Sequence, residues 1–94
     1  MLRLRFSRDA RADLNEIARY IARDKPVAAR NWVVKIKSKC DLLASHPDLG
    51  EERPDLGDNV RFTLVDHYVI FYRRSSKQVE ISRVIRGDRE IRRL

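Results

Sequence analysis

Tyr68-Val69-Ile70-Phe71-Tyr72 is a run of five apolar or aromatic residues, with Asp66 just before it and Arg73-Arg74 just after. β-branched and aromatic residues favour strands. The run is too short for an ordinary globular helix and has no polar face. A strand without a polar face must be covered on both sides, which predicts the centre of a sheet. On its N-terminal side Val60, Phe62 and Leu64 alternate with Arg61 and Thr63. On its C-terminal side, over Gln78 to Arg86, Val79, Ile81 and Ile85 alternate with Glu80, Ser82 and Arg86. Arg83 falls on the apolar side of that alternation, and Gly87 ends the strand. The turns between these runs, at Asp66-His67 and Arg74 to Lys77, are short, and successive strands so joined are antiparallel.

Before these strands come two helical patterns. Leu2, Leu4 and Phe6 alternate with Arg3 and Arg5, giving a short strand with one buried and one basic face. Ser7 stands at the N-cap position, with Asp9 in the first turn where the helix dipole favours it. Ala10, Leu14, Ile17 and Ile21 then recur at helical spacing, predicting an amphipathic helix from about Arg8 to Arg23. Proline is tolerated in the first turn of a helix and not in its interior, so a second helix starts near Pro26. Its stripe is Ala29, Val33, Ile36, Cys40 and Leu43, and His46-Pro47 ends it. The linker is short enough to make the two helices an antiparallel hairpin. Trp32 and Leu42 widen its apolar face, either completing the core against the sheet or lining an open partner groove. Asp48 to Asp58, with two Gly and one Pro, reads as a loop. The expected fold is α+β in the order β-α-α-β-β-β, an antiparallel sheet with an N-terminal helical hairpin packed on one face. Ninety-four residues suit a single domain, 1–94.

The chain carries 21 Lys and Arg against 14 Asp and Glu, a net charge of +7. Such a balance means a solvated basic face or an acidic partner, nucleic acid or protein. One cysteine, Cys40, allows no intrachain disulfide, which points to a reducing compartment, the cytoplasm. His46 and His67 are isolated, so no metal-ligand spacing exists and no cofactor is implied. No apolar run approaches the ~20 residues of a membrane span. Arginine placement is the most informative feature. Arg61 lies in a strand, Arg83 interrupts an apolar face, and Arg86 and Arg89 flank Gly87. A half-buried Arg is costly unless paired. Arg83 is thus either held by Glu80, Asp66 or backbone carbonyls, or is part of an anion-binding cluster at one end of the sheet.

These residues carry a resemblance. Ala10–Asp24, Pro26–Ala29, the L-L-A-S-H-P-D-L-G stretch at Leu42–Gly50, the Arg53-Pro54 pair, Tyr68–Arg73 and I-S-R-V-I-R-G-D-R-E at Ile81–Glu90 follow one another in an order that resembles the ParE branch of the RelE/ParE toxin superfamily of bacterial type II toxin–antitoxin modules. The resemblance implies a non-enzymatic toxin that poisons DNA gyrase and is neutralised by a ParD-like antitoxin in a hetero-oligomeric complex. The alternatives are a RelE-like ribosome-dependent mRNA endonuclease and a degenerate member that only binds antitoxin. RNA cleavage needs proton transfer and a stabilised phosphate charge. No Tyr or His follows Tyr72, Val69 stands where RelE-type members tend to carry Arg, and Thr63 replaces a second basic residue. Many ParE-like members have His where Arg86 stands, so a group titrating near neutrality is lost there.

On this reading Arg61, Arg83, Arg86 and Arg89 contact the target. The antitoxin lies as an amphipathic helix along Leu14, Ile17, Ala18 and Ile21 of the first helix and Trp32 and Ile36 of the second. Arg11 and Arg30 form a basic rim that steers an acidic, initially disordered segment.

Overall fold

The computed structural model describes residues 1–87, so Arg89 lies outside the described residues. The elements are β1 (Arg3–Phe6), α1 (Arg8–Ala22), α2 (Pro26–Ser45), β2 (Glu51–Glu52), a 3-10 turn at Pro54–Leu56, β3 (Val60–Val65), β4 (Tyr68–Arg74) and β5 (Gln78–Arg86). Ser7 caps α1 as its sequence predicts, its Oγ accepting from Ala10 N at 3.0 Å. Pro26 opens α2, where its missing N–H leaves no extra unpaired group.

The sheet has five strands in the order β1-β5-β4-β3-β2. It is mixed rather than purely antiparallel: β1 runs parallel to β5, pairing Arg3 with Gln78 through Phe6 with Ile81. Sequence neighbours are joined by hairpins, but β1 reaches its partner only after the whole helical hairpin and three other strands. No local turn constrains its direction. The segment expected to be all loop also supplies the edge strand β2, opposite Arg61 and Phe62.

β4 is central, as its lack of a polar face requires. Tyr68, Ile70 and Tyr72 point under the hairpin and join Trp32, Ile36, Cys40, Leu43, Val79, Ile81 and Val84 in one buried cluster. Val69 and Phe71, on the other face, are buried too. Phe71 meets Phe62 at 6.2 Å between ring centroids. Burying these side chains drives the fold, each contributing on the order of 1.5–3 kcal/mol relative to exposure.

β5 departs from simple alternation. Phe71 pairs with Arg83 but Tyr72 pairs with Ile81, so Ser82 is an extra residue in a β-bulge. The bulge resets the period. Val84, not Arg83, takes the next core position after Val79 and Ile81, while Ile85 is only half-buried. Arg83 therefore does not break an apolar face. It is turned outward, with its side chain half exposed.

Candidate functional site

Arg61 and Arg83, on either side of β4, are held in different ways. Arg61 sits beside the Asp48–Glu52 segment. Its Nη1 donates to Gly50 O at 2.7 Å and Asp48 O at 3.3 Å, and its Nη2 donates to Glu52 Oε1 at 3.0 Å. Asp48 approaches the same guanidinium at 3.6 Å and also accepts from Arg74 Nη1. The hydroxyl of Tyr72 organises the backbone here. It accepts from Gly50 N at 2.9 Å and donates to Pro47 O at 2.8 Å. Burial pushes its pKa above the ordinary tyrosine value, against a smaller opposing effect of the Gly50 N–H bond. A Cβ on Gly50 would lie 2.6 Å from Phe62 O and 2.7 Å from the Tyr72 hydroxyl, so only glycine allows this approach.

Arg83 is held from the other direction in the chain. Its Nε and Nη2 donate to the two oxygens of Asp13 at 2.8 and 3.1 Å, and Val84 N donates to Asp13 Oδ2 at 2.9 Å. Ser7 Oγ, besides capping α1, donates to Ser82 O at 2.8 Å. β1 covers β5 only as far as Ile81, so α1 takes over where β1 stops and satisfies the bulged edge with side chains. Among the described residues, the carboxylate that holds Arg83 is thus that of Asp13 rather than Glu80 or Asp66. Arg86 lies farther along, opposite Tyr68. Arg61 pairs across from Tyr72, four residues up β4 or roughly 13 Å at the usual strand rise. Arg61 and Arg86 therefore lie apart along the sheet, with Arg83 between them on the β5 side.

The hairpin surface is divided as well. A cleft of about 400 Å³ is lined by Phe6, Arg11, Leu14, Asn15, Val33, Ile36 and Lys37. It brings together Leu14, Ile36 and Arg11 of the expected groove. Ile17 instead lines a second cleft with Tyr20, Arg19, Arg23, Tyr68 and Arg86. Ala18 and Ile21 pack against the core. Arg30 is exposed and lines neither cleft. Trp32 does not line an open groove. It is 6 % exposed and meets Tyr68 edge-on at 5.1 Å. Ile36 is only 2 % exposed, reaching its cleft from the core. Leu42 remains 42 % exposed, facing outward.

Sequence reasoning missed Asp13, Asp48, Glu52 and Gly50. Asp13 did carry a signal. It follows Ala10 by three residues, which puts a carboxylate beside the buried stripe of an amphipathic helix. Phe6, Val33 and Lys37 join the cleft because β1 and both helices converge there, which spacing within one helix does not reveal.

The comparisons place the chain. Residues 4–91 match the family model of the ParE toxin of the type II toxin–antitoxin system, parDE. The chain belongs to that ParE toxin family. Among solved structures, it is similar to a chain of the chromosomal ParDE toxin–antitoxin system from P. aeruginosa, with 26% identity, a TM-score of 0.77, and 92% of this chain and 96% of that chain covered. No curated protein matches it. Among the described residues no helix is long and apolar enough to cross a membrane.

Proposed function

We propose that this chain is a single-domain, cytoplasmic ParE toxin that arrests growth by poisoning DNA gyrase without covalent chemistry, and that a cognate ParD-like antitoxin neutralises it in a hetero-oligomeric complex. One observation carries the choice of gyrase over mRNA cleavage. The groups at the Arg61 end that a phosphodiester reaction would use are built into the scaffold. Tyr72 spends its hydroxyl on Gly50 and Pro47, its pKa is raised rather than lowered, and the charge of Arg61 is matched by Glu52 and Asp48. A general acid needs a free proton and an accessible position, and Tyr72 offers neither.

The target contact then falls to Arg86 and Arg89, with the cleft beside Arg86, Arg19 and Arg23 as the docking surface on the described side. Arg83 and Arg61 support the fold that presents them. The antitoxin's amphipathic helix lies in the Phe6–Leu14–Val33–Ile36 cleft, with Arg11 and Lys37 meeting its acidic residues. Rim charges of this kind speed encounter more than they tighten the final complex.

Induced expression, alone and with the neighbouring antitoxin frame, tests this reading. Growth should stop without the partner, purified gyrase should lose supercoiling activity, and cleaved DNA complexes should accumulate. Arg86→Ala with Arg89→Ala should reduce toxicity while the circular-dichroism signal and antitoxin binding persist. Intact gyrase function alongside mRNAs cut at ribosomal A sites would give the ribonuclease reading the better case.

A further inference from the structure

Beyond β2, one stretch of the β3 edge has no strand beside it. β2 pairs only with Arg61 and Phe62, so β3 is uncovered from Thr63 to Val65. Gly50 sets that limit. Its N–H is drawn to the Tyr72 hydroxyl on the helix-covered face, which carries the chain away before it can run beside Leu64. Strand alternation tells which backbone groups face outward. Arg53 N donates to Val60 O at 2.8 Å, so the main-chain groups of Val60, Phe62 and Leu64 face the β2 side, and those of Arg61, Thr63 and Val65 face β4. Leu64 thus presents an N–H and a C=O outward with no strand beside them.

Two other stretches of edge are protected. The bulged part of β5 is stitched by Asp13 and Ser7. β1 is four residues long and carries Arg3 and Arg5, the kind of short, charged strand that resists pairing. At β3 the opposite holds. Leu64 is 54 % exposed, and α2 lays Val34, 60 % exposed, and Leu42 along the same groove. Lys35 and Lys39 line that groove as well.

We infer that the open edge of β3 receives an extended segment of a partner protein as an added strand, apolar at its centre and acidic at its flanks. Main-chain bonds to Leu64 supply the register, and apolar side chains settle against Val34, Leu42 and Leu64. Carboxylates meet Lys39 and Lys35, the latter exchanging an exposed pairing with Asp66. Strand addition to an exposed edge is a recurring way to bind peptides. A second copy of this chain is the poorer occupant, because two molecules of charge +7 would bring Lys35 and Lys39 of each against the other. The inference rests on the edge and not on the hairpin cleft, which opens on Val33 and Ile36 of α2 rather than on Val34 and Leu42.

The test uses the full chain and a synthetic peptide of alternating valine and glutamate, with an alternating valine–lysine peptide as control. Amide exchange is followed by NMR residue by residue. The acidic peptide should slow exchange at Leu64 by about tenfold or more, the change expected when an open strand amide becomes hydrogen-bonded, and the basic peptide should not. Leu64→Pro removes the outward donor while sparing the ladder to β4, since proline is tolerated on an edge. That variant should keep its dichroism spectrum and lose the peptide effect, and Val34→Glu should lose it too. The proposal is overturned if saturating acidic peptide leaves Leu64 unchanged, or if both peptides protect it alike. It is also overturned if protection appears with rising protein concentration and no peptide, which would make the occupant a second copy. Perturbations confined to Phe6 and Val33 would leave the hairpin-cleft reading standing and remove this one.

Discussion

Arg61 and Arg83 flank the same central strand, and both are paired with carboxylates, yet the two pairings do different work. Around Arg61 the partners are near in sequence: Asp48, Gly50 and Glu52 lie within 13 residues. That guanidinium folds a local segment into place, with the Tyr72 hydroxyl as its inner anchor. Around Arg83 the partner is Asp13, 70 residues away, and the contact joins the first helix to the last strand. One arginine shapes a loop and the other fastens the two ends of the fold. Arginine in a strand is thus weak evidence for a binding site until its carboxylates have been located.

Substitutions can separate the two regions. The largest effect is expected at Gly50. Gly50→Ala drives a methyl into Phe62 O and the Tyr72 ring and should cost about 3 kcal/mol or more, lowering Tm by well over ~10 °C for a domain of this size. A change below about 1 kcal/mol would mean the segment around Arg61 is not held as described. Next comes Tyr72→Phe, which leaves Gly50 N and Pro47 O without their partner and should cost about 1–3 kcal/mol in urea titrations. It should also alter the alkaline limb of stability. The folded pKa of Tyr72 lies above its ordinary value of 10.0, so its contribution is complete below pH 10 and is lost as pH rises through the folded value. Buried Cys40 acts in the same sense, pushed up to about 12 from 9.0 by burial and by Asp41. Stability should therefore fall above about pH 9, less steeply in Tyr72→Phe, and just as steeply in Asp13→Ala.

Asp13→Ala tests the other region. It removes the acceptor of Val84 N and the carboxylate beside Arg83 and should cost about 1–2 kcal/mol. Faster exchange at the Val84 amide, with Gly50 unaffected, would confirm that the regions are independent. Arg83→Ala should be milder, about 0.5–1 kcal/mol, because the guanidinium is half exposed while Asp13 keeps Val84 N. Lys35→Ala, at an exposed pair with Asp66, should stay within about 0.5 kcal/mol. Equal losses at Lys35 and Asp13 would erase the distinction between a fastened and a merely solvated charge.

Local chemistry explains which parts of this fold could be read from sequence. Ser7 and Pro26 mark helix starts by mechanisms confined to one turn, and both act as expected. The spans of β3, β4 and β5 follow from alternation and the short turns between them. What was not legible depends on meetings across long separations. The direction of β1 is fixed by packing against β5, and the bulge at Ser82 shifts every later side chain of β5 by one position. That shift is why Arg83 seemed to face the core and does not. The residues of the expected groove are divided between clefts and core for a similar reason. Helical spacing shows that Trp32 is apolar and near the stripe, but only the position of Tyr68 shows that the space beside it is already filled.

The parallel pairing of β1 with β5 also sets a schedule for synthesis. Arg3 pairs with Gln78 and Phe6 with Ile81, so the first strand leaves the ribosome long before its partner exists. At roughly 5–20 residues per second, this offset of 75 positions takes about 4–15 s to synthesise. Until then β1 has no ladder and Asp13 has neither Arg83 nor Val84 to hold. The nascent chain is an unfinished object throughout that interval, which gives any partner already present in the cell a head start on the completed fold.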